Sequence, residues 1–195
     1  MITILAIAGT SGSGKSSVAQ LLTGLYDIPE VISTTTREMR FGEVDGDHYN
    51  FASIDDFTSL IKDEKLIEYS KHPSSGDFYG MSIDAVRKAA DKSGNGMVVA
   101  VLDPNGVKSA HNFASLNHDI SVVSFFLEAS HETCERRIKA ALDNGESPSR
   151  VGARLARLAS ESDWRYAFDY TYRVFNDDED LKETELASKI LERVS

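Results

Sequence analysis

Residues 9–17, GTSGSGKSS, have the types and spacing of a loop that binds phosphate. The pattern G-x-x-x-x-G-K-[ST] is met by Gly9, Gly14, Lys15 and Ser16. Glycines let backbone N–H groups curl around phosphate oxygens, the lysine brings a positive charge to the β- and γ-phosphates, and the serine hydroxyl can reach Mg²⁺. An apolar run precedes the loop and apolar residues at helical spacing follow it, as this motif requires. We therefore predict an ATP site, with further loop contacts from Ser11, Gly12, Ser13 and Ser17.

A second group of candidate binding residues lies in ISTTTREMRFGEVDGDHYNF, residues 32–51. Arg37 and Arg40 are three residues apart, and Tyr49 follows after a Gly-Asp turn. Two guanidiniums and a phenol that converge on one point would bind a monophosphate dianion. We therefore predict an acceptor-phosphate site here.

A third group consists of arginines in and just after residues 134–162. Arginine offers a planar fork of donors to phosphate oxygens, so a helical segment with many arginines is a candidate lid over phosphates. For any one arginine a solvated basic face is the simpler explanation, but the cluster as a whole favours the lid. Its members are Arg136, Arg137, Arg150, Arg154, Arg157 and Arg165.

The elements that must position these groups alternate between strands and helices. Strand-like runs occur at 2–8, 31–34, 97–102, 120–128 and 171–175. Helical patterns occur at 15–25, 82–92, 105–114, 130–143, 148–162 and 180–194, and Ser53, Ser82 and Ser130 are candidate N-caps. This alternation predicts a parallel sheet with helices on its faces. Asp103 ends one strand near the phosphate loop, where a carboxylate suits a metal-binding role.

Composition narrows the class of protein. The chain has 195 residues and a net charge of −10, which argues against a nucleic-acid polymer as partner. The single cysteine fits a reducing compartment, and no apolar stretch approaches the roughly 20 residues of a membrane span. We expect a cytoplasmic protein with small anionic substrates; its oligomeric state stays open.

The stretch at 32–51 resembles the monophosphate-binding segment of guanylate kinases, S-x-[ST]-T-T-R-x-x-R-x-G-E-x-x-G-x-D-Y-x-F. Further pieces similar to that family follow in order over essentially the whole chain: LIEYS, DFYG, LDPNGVKS, ERR, ARL and VFNDD. The resemblance implies that Ser33 and Glu68 read the guanine base. It implies that Arg37, Arg40, Tyr49 and Tyr79 hold the acceptor phosphate, and that Asp103 lies near the base and the metal.

The same resemblance implies roles on the donor side. Arg136 and Arg137 match the lid arginines and Arg154 matches an arginine of the following helix, while Asn176 and Asp177 match the segment near the donor adenine. Together these observations imply catalytic roles for Lys15, Arg37, Arg137 and Arg154. They also imply that Ser16 and Asp103 bind the Mg²⁺ that accompanies ATP.

Three positions depart from the family pattern. Met81 replaces the hydroxyl residue that would bind guanine O6, and Val101 replaces the first carboxylate of a D-x-D pair. KAALDNG (139–145) replaces the R-G-R-G of the lid. These changes fit either drift in a working guanylate kinase or an altered preference for the acceptor base. A non-catalytic guanylate-kinase-like binding module, or another P-loop enzyme, also remains open.

The resulting expectation is an α/β fold of the P-loop NTPase type, with a small α+β insertion that binds the nucleoside monophosphate and a helical lid. The expected divisions are a core at 1–32, the insertion at 33–81, core at 82–133, the lid at 134–162 and core at 163–195. The expected activity is ATP-dependent phosphorylation of GMP or dGMP.

Overall fold

The computed structural model describes residues 1–72, 75–177 and 183–194. Within them a central sheet of four strands is entirely parallel. Numbered in chain order among all the strands, these are β1 (Ile2–Gly9), β6 (Met97–Val101), β7 (Ile120–Glu128) and β8 (Tyr172–Phe175), arranged β6-β1-β7-β8. With β1 in the middle, the phosphate loop leaves the sheet at its carboxyl edge, where open parallel sheets bind ligands.

A second, smaller sheet lies in the predicted insertion. Its strands are β2 (Thr34–Thr35), β3 (Asn50–Phe51), β4 (Leu66–Lys71) and β5 (Phe78–Ser82), in the order β3-β2-β5-β4. β5 runs antiparallel to both of its neighbours, while β2 and β3 are parallel. This sheet is the α+β region that the sequence predicted.

Seven α-helices occur in the described residues. They are α1 (Lys15–Tyr26), α2 (Ile54–Lys62), α3 (Ile83–Ala90), α4 (Pro104–Leu116), α5 (His131–Ala140), α6 (Pro148–Ser160) and α7 (Glu183–Leu191). The three predicted caps are confirmed: the hydroxyls of Ser53, Ser82 and Ser130 accept N–H bonds at the starts of α2, α3 and α5. The predicted fold class, a parallel sheet flanked by helices, is also confirmed.

The core has two layers because the central sheet is buried on both faces. In β1, Ile4 packs on one side with α3 and α4, while Leu5 packs on the other with α1 and α7. Successive side chains of a strand point to opposite faces, so a fully apolar run such as ITILAIA marks a strand covered on both sides. This central position makes β1 a rigid base for the phosphate loop.

The predicted strand at 31–34 was wrong in part. The chain touches the edge of β6 through an isolated bridge between Glu30 and Val99, and then crosses to the second sheet, where only Thr34 and Thr35 are paired. The predicted last helix is present from residue 183, and its expected beginning at 180–182 lies outside the described residues. Among the helices described, none combines the length and apolar character needed to cross a membrane.

Candidate active site

The phosphate loop has the backbone shape of an anion cradle. Gly12 and Gly14 have φ angles of 85° and 99°, a region that side chains disfavour. A Cβ atom at Gly12 would lie 2.6 Å from the Cys134 carbonyl oxygen, and one at Gly14 would lie 2.6 Å from Asn176 Nδ2. Both glycines are therefore required by conformation and by close neighbours, independently of any ligand.

Lys15 folds back over the loop. Its Nζ atom donates to the carbonyl oxygens of Gly9 and Thr10, at 2.8 Å each. Burial lowers the pKa of Lys15 to about 8, and the nearby Glu161 carboxylate partly offsets this. A bound phosphate would supply the negative charge that a buried ammonium lacks here.

One large cavity, of about 1310 Å³, joins most of the predicted site. It is lined by loop residues, by Asp103 at the end of β6, by Tyr49 of the insertion and by arginines of α5 and α6. The predicted residues on its wall are Ser11, Gly12, Gly14, Lys15, Ser16, Ser17, Tyr49, Asp103, Arg136, Arg137, Arg154 and Asn176. Because Ser16 and Asp103 are hard oxygen donors on the same wall, they fit a Mg²⁺ ion carried by a nucleotide.

The residues predicted to hold the acceptor phosphate (Arg37, Tyr49 and Tyr79, the acceptor clamp) meet around Arg37. Its guanidinium lies 5.4 Å from the centre of the Tyr49 ring, and the Tyr49 and Tyr79 rings meet edge to face at 6.0 Å. Glu43 accepts from Arg37 Nη2 at 2.7 Å and Nη1 at 3.0 Å, and from the Arg40 backbone N–H at 2.7 Å. This bidentate pair fixes the direction of the Arg37 fork before any ligand arrives.

Glu68 stands at a β-bulge, near Asp103 of the cavity wall. The pairing of β4 with β5 shifts between Leu66 and Glu68, and such bulges redirect side chains next to functional sites. The Glu68 and Asp103 carboxylates both lie next to Gly106, where a Cβ atom would be 3.4 Å from Glu68 Oε2 and 3.5 Å from Asp103 Oδ1. Burial, and to a smaller extent Asp103, raises the pKa of Glu68 to about 7.

Met81 and Val101, which depart from the family pattern, both pack against the hydrophobic core. Met81 is 1% exposed and packs in the cluster under the central sheet. The hydroxyl of its neighbour Ser82 accepts from Ala85 N–H at 3.1 Å and caps α3. Val101 packs on the opposite face of the sheet, with α1 and α7, and it also lines the cavity beside Asp103. Neither the thioether nor the valine can donate a hydrogen bond to a base.

The arginine-rich segment folds as a helical pair with its own small core of Cys134, Ile138, Val151 and Leu158. Arg137 Nη1 is buried and has no hydrogen-bond partner within the described residues. A buried guanidinium nitrogen without a partner is costly, and a phosphate oxygen would satisfy it.

An acid at the start of α6 pairs with two of its arginines. Glu146 Oε2 accepts from Arg154 Nη1 at 2.7 Å, and Glu146 Oε1 lies 3.3 Å from Arg150 Nε. These bonds hold the predicted catalytic arginine close to the cavity wall.

Several predicted residues do not line the cavity, and Arg37, Glu68 and Tyr79 of the predicted acceptor site are among them. Gly9 and Ser13 are buried members of the loop, and Arg40 is exposed, with its backbone N–H bonded to Glu43. Ser33 contributes its carbonyl oxygen to pairing with Asn50. Asp177 accepts from the Ser130 N–H at 2.7 Å, at the start of α5. The proposed roles of these residues in binding stay predictions.

Three carboxylates at the site were missed by the sequence reasoning: Glu43, Glu146 and Glu161. Glu161 is 7% exposed, and its Oε2 accepts from the Ser11 N–H at 2.6 Å. Two of them had a usable signal: Glu43 is the glutamate in the matched pattern R-x-x-R-x-G-E, and Glu146 stands four residues before Arg150, a spacing that pairs charged side chains on helices. Glu161 contacts a partner that no local spacing identifies.

Comparisons with known proteins agree across the whole chain. The family model described as "Guanylate kinase" matches residues 1–193. A guanylate kinase of Rickettsia prowazekii is 33% identical over 177 residues, covering 90% of this chain and 83% of the relative. One of Escherichia coli is 31% identical over 191 residues, covering 96% and 86%. The crystal structure of guanylate kinase from Anaplasma phagocytophilum matches with a TM-score of 0.63 at 28% identity, covering 97% of this chain and 82% of that one.

Proposed function

The chain belongs to the guanylate kinase family, as its motifs predicted, and from this premise we propose that it transfers the γ-phosphoryl group of ATP to GMP or dGMP. The observation that carries the proposal is that one cavity has both Lys15 of the phosphate loop and Tyr49 of the acceptor clamp on its wall. Donor and acceptor phosphates bound at those two places would meet in one cavity. Such proximity is the main requirement of phosphoryl transfer.

On the donor side, the loop amides and Lys15 hold the β- and γ-phosphates. Mg²⁺ bound with ATP would be held by Ser16 and Asp103, and it would neutralise charge on the phosphates. An oxygen of the acceptor phosphate forms a bond to the γ-phosphorus as the bond to ADP breaks. Arg137 and Arg154 face the cavity and stabilise the charge on the moving group.

On the acceptor side, Arg37, Tyr49 and Tyr79 bind the monophosphate and Glu68 binds the base. A carboxylate accepts from guanine N1–H and the 2-amino group, and a base without those donors would leave it unpaired. The single cysteine, Cys134, is buried and unpaired, which supports the proposal that the enzyme works in a reducing cytoplasm.

The test is turnover of Mg·ATP with a panel of ribo- and deoxynucleoside monophosphates, followed as ADP formation. Turnover restricted to GMP and dGMP is expected. If activity with 2-aminoadenine monophosphate lies within tenfold of activity with GMP, the relaxed preference for the acceptor base would be assigned to the apolar side chain of Met81. A folded protein that binds ATP but turns over no acceptor would overturn the proposal.

The panel is repeated with Met81→Thr. The variant restores a hydroxyl at this position, so a change in base preference would connect residue 81 to the base. An unchanged preference would assign Met81 to the core alone.

A further inference from the structure

Glu161 is a buried acid for which the proposed mechanism has no use. It follows the last residue of α6, and it is 7% exposed. Its Oε2 accepts a 2.6 Å bond from the backbone N–H of Ser11, 150 residues earlier in the chain. A bond this short, to a charged acceptor, belongs to the strong class of hydrogen bonds.

This bond is one of those that fix the phosphate loop from outside. On the other side, the buried Asn176 side chain donates from Nδ2 to the Ser13 carbonyl oxygen at 2.7 Å. Within the loop, the bond from Ser13 N–H to the Thr10 oxygen is 3.1 Å long. The loop is thus held between the end of α6 and the segment after β8.

The bond between Glu161 and Ser11 connects the phosphate loop to α6, the arginine helix. α6 begins at a cap formed by Ser147 and presents Arg150, Arg154 and Arg157 to the cavity. Because a helix is rigid over three turns, fixing its last turn on the loop also fixes how far Arg154 reaches toward Lys15. Glu161 is the side chain at the end of this helix that bonds the loop.

We propose that Glu161 is a positioning residue for phosphoryl transfer, which holds the arginine helix α6 against the phosphate loop through the Ser11 N–H. This inference rests on the proposed function. The hydrogen bond between Glu161 and Ser11 remains when ATP is bound. It supports phosphoryl transfer because it fixes the positions of Ser11, Lys15 and Arg154. The carboxylate is therefore a fixed part of the donor site.

The experiment compares Glu161→Gln, Glu161→Ala and Glu161→Asp with the parent. Glutamine keeps an oxygen that can accept from Ser11 N–H, alanine removes it, and aspartate keeps the charge but is one methylene too short. Asp163→Asn is the matched control, because Asp163 is an exposed acid two residues further on. We expect Glu161→Ala and Glu161→Asp to lower kcat and to raise the KM for ATP at least tenfold, with the KM for GMP unchanged. Glu161→Gln should stay within about threefold of the parent, as should the control.

Two further readouts do not depend on the acceptor: ATP affinity by calorimetry and hydrogen exchange of the Ser11 amide by NMR. In the alanine and aspartate variants only, ATP affinity should fall and exchange of the Ser11 amide should become faster. Parent kinetics in those two variants, or equal damage in Glu161→Gln, would overturn the proposal. Tighter ATP binding in Glu161→Gln would do so too, since it would make the carboxylate a competitor of phosphate. If the parent fails to phosphorylate GMP, the proposed function fails, while these two readouts still decide the role of Glu161.

Discussion

Replacing Glu68 by glutamine should make the nucleotide-free protein more stable above neutral pH and a poorer kinase. Burial first, and the charge of Asp103 second, raise the pKa of Glu68 from 4.5 to about 7. A carboxyl whose pKa is raised on folding favours the protonated form, so ionisation costs stability as pH rises above the unfolded value of about 4.5. The cost is complete above about pH 7 and absent in acid. Glutamine cannot ionise and therefore avoids it.

The magnitude follows from the two pKa values. The difference between 4.5 and about 7 corresponds to at most about 3 kcal/mol of unfolding free energy. For a chain of this length, about 2 °C per kcal/mol gives an increase in Tm of about 6 °C at pH 8.5. At pH 5 the advantage should fall below about 1 kcal/mol. Burial also raises the pKa of Glu30, but that residue is present in both proteins and its effect cancels in the comparison.

The assay is thermal unfolding of both proteins at pH 5 and pH 8.5, with the exposed Glu192→Gln as control. In parallel, kcat/KM for GMP should fall about tenfold or more in Glu68→Gln, because an acceptor for the guanine N–H groups is lost. An equal change in Tm at both pH values, or a loss of stability at pH 8.5, would refute the electrostatic reasoning. Full GMP activity would refute the role of Glu68 in base binding.

Three other substitutions test the remaining parts of the site. Lys15→Ala should lower kcat by about 10²-fold or more with an unchanged circular dichroism spectrum, and near-normal turnover would remove Lys15 from the mechanism. Glu43→Gln should raise the KM for GMP about five- to tenfold and leave the KM for ATP unchanged, because an amide cannot accept all three bonds that orient the clamp. Tighter GMP binding would show instead that Glu43 competes with the substrate, and the exposed Glu38→Gln is the control. Ser82→Ala should cost about 1 kcal/mol of stability through the lost cap of α3 with unchanged base preference, and the opposite pattern would place Ser82 in the base site.

The sequence was most informative where function or local physics requires a pattern. The phosphate loop, the alternation of strands and helices, and the caps at Ser53, Ser82 and Ser130 each depend on residues within a few positions of one another. The strand expected at 31–34 was wrong in part because its β-branched residues suit either sheet, and the crossing after Glu30 depends on tertiary packing. Glu161 could not be identified as a site residue, since the chain has 31 acidic residues and its partner is 150 positions away.

The acids that sequence reasoning missed give partners to several donors of a cationic site. Guanidiniums and loop amides gathered for phosphate would otherwise be buried without partners, which is costly. Burial suggests which of these bonds yield when phosphate arrives. Glu161 binds a backbone amide and is 7% exposed, so its bond is part of the scaffold. In the Glu146–Arg154 pair the arginine side chain is 31% exposed, so we expect this pair to open as the transferred phosphoryl group takes the place of the carboxylate.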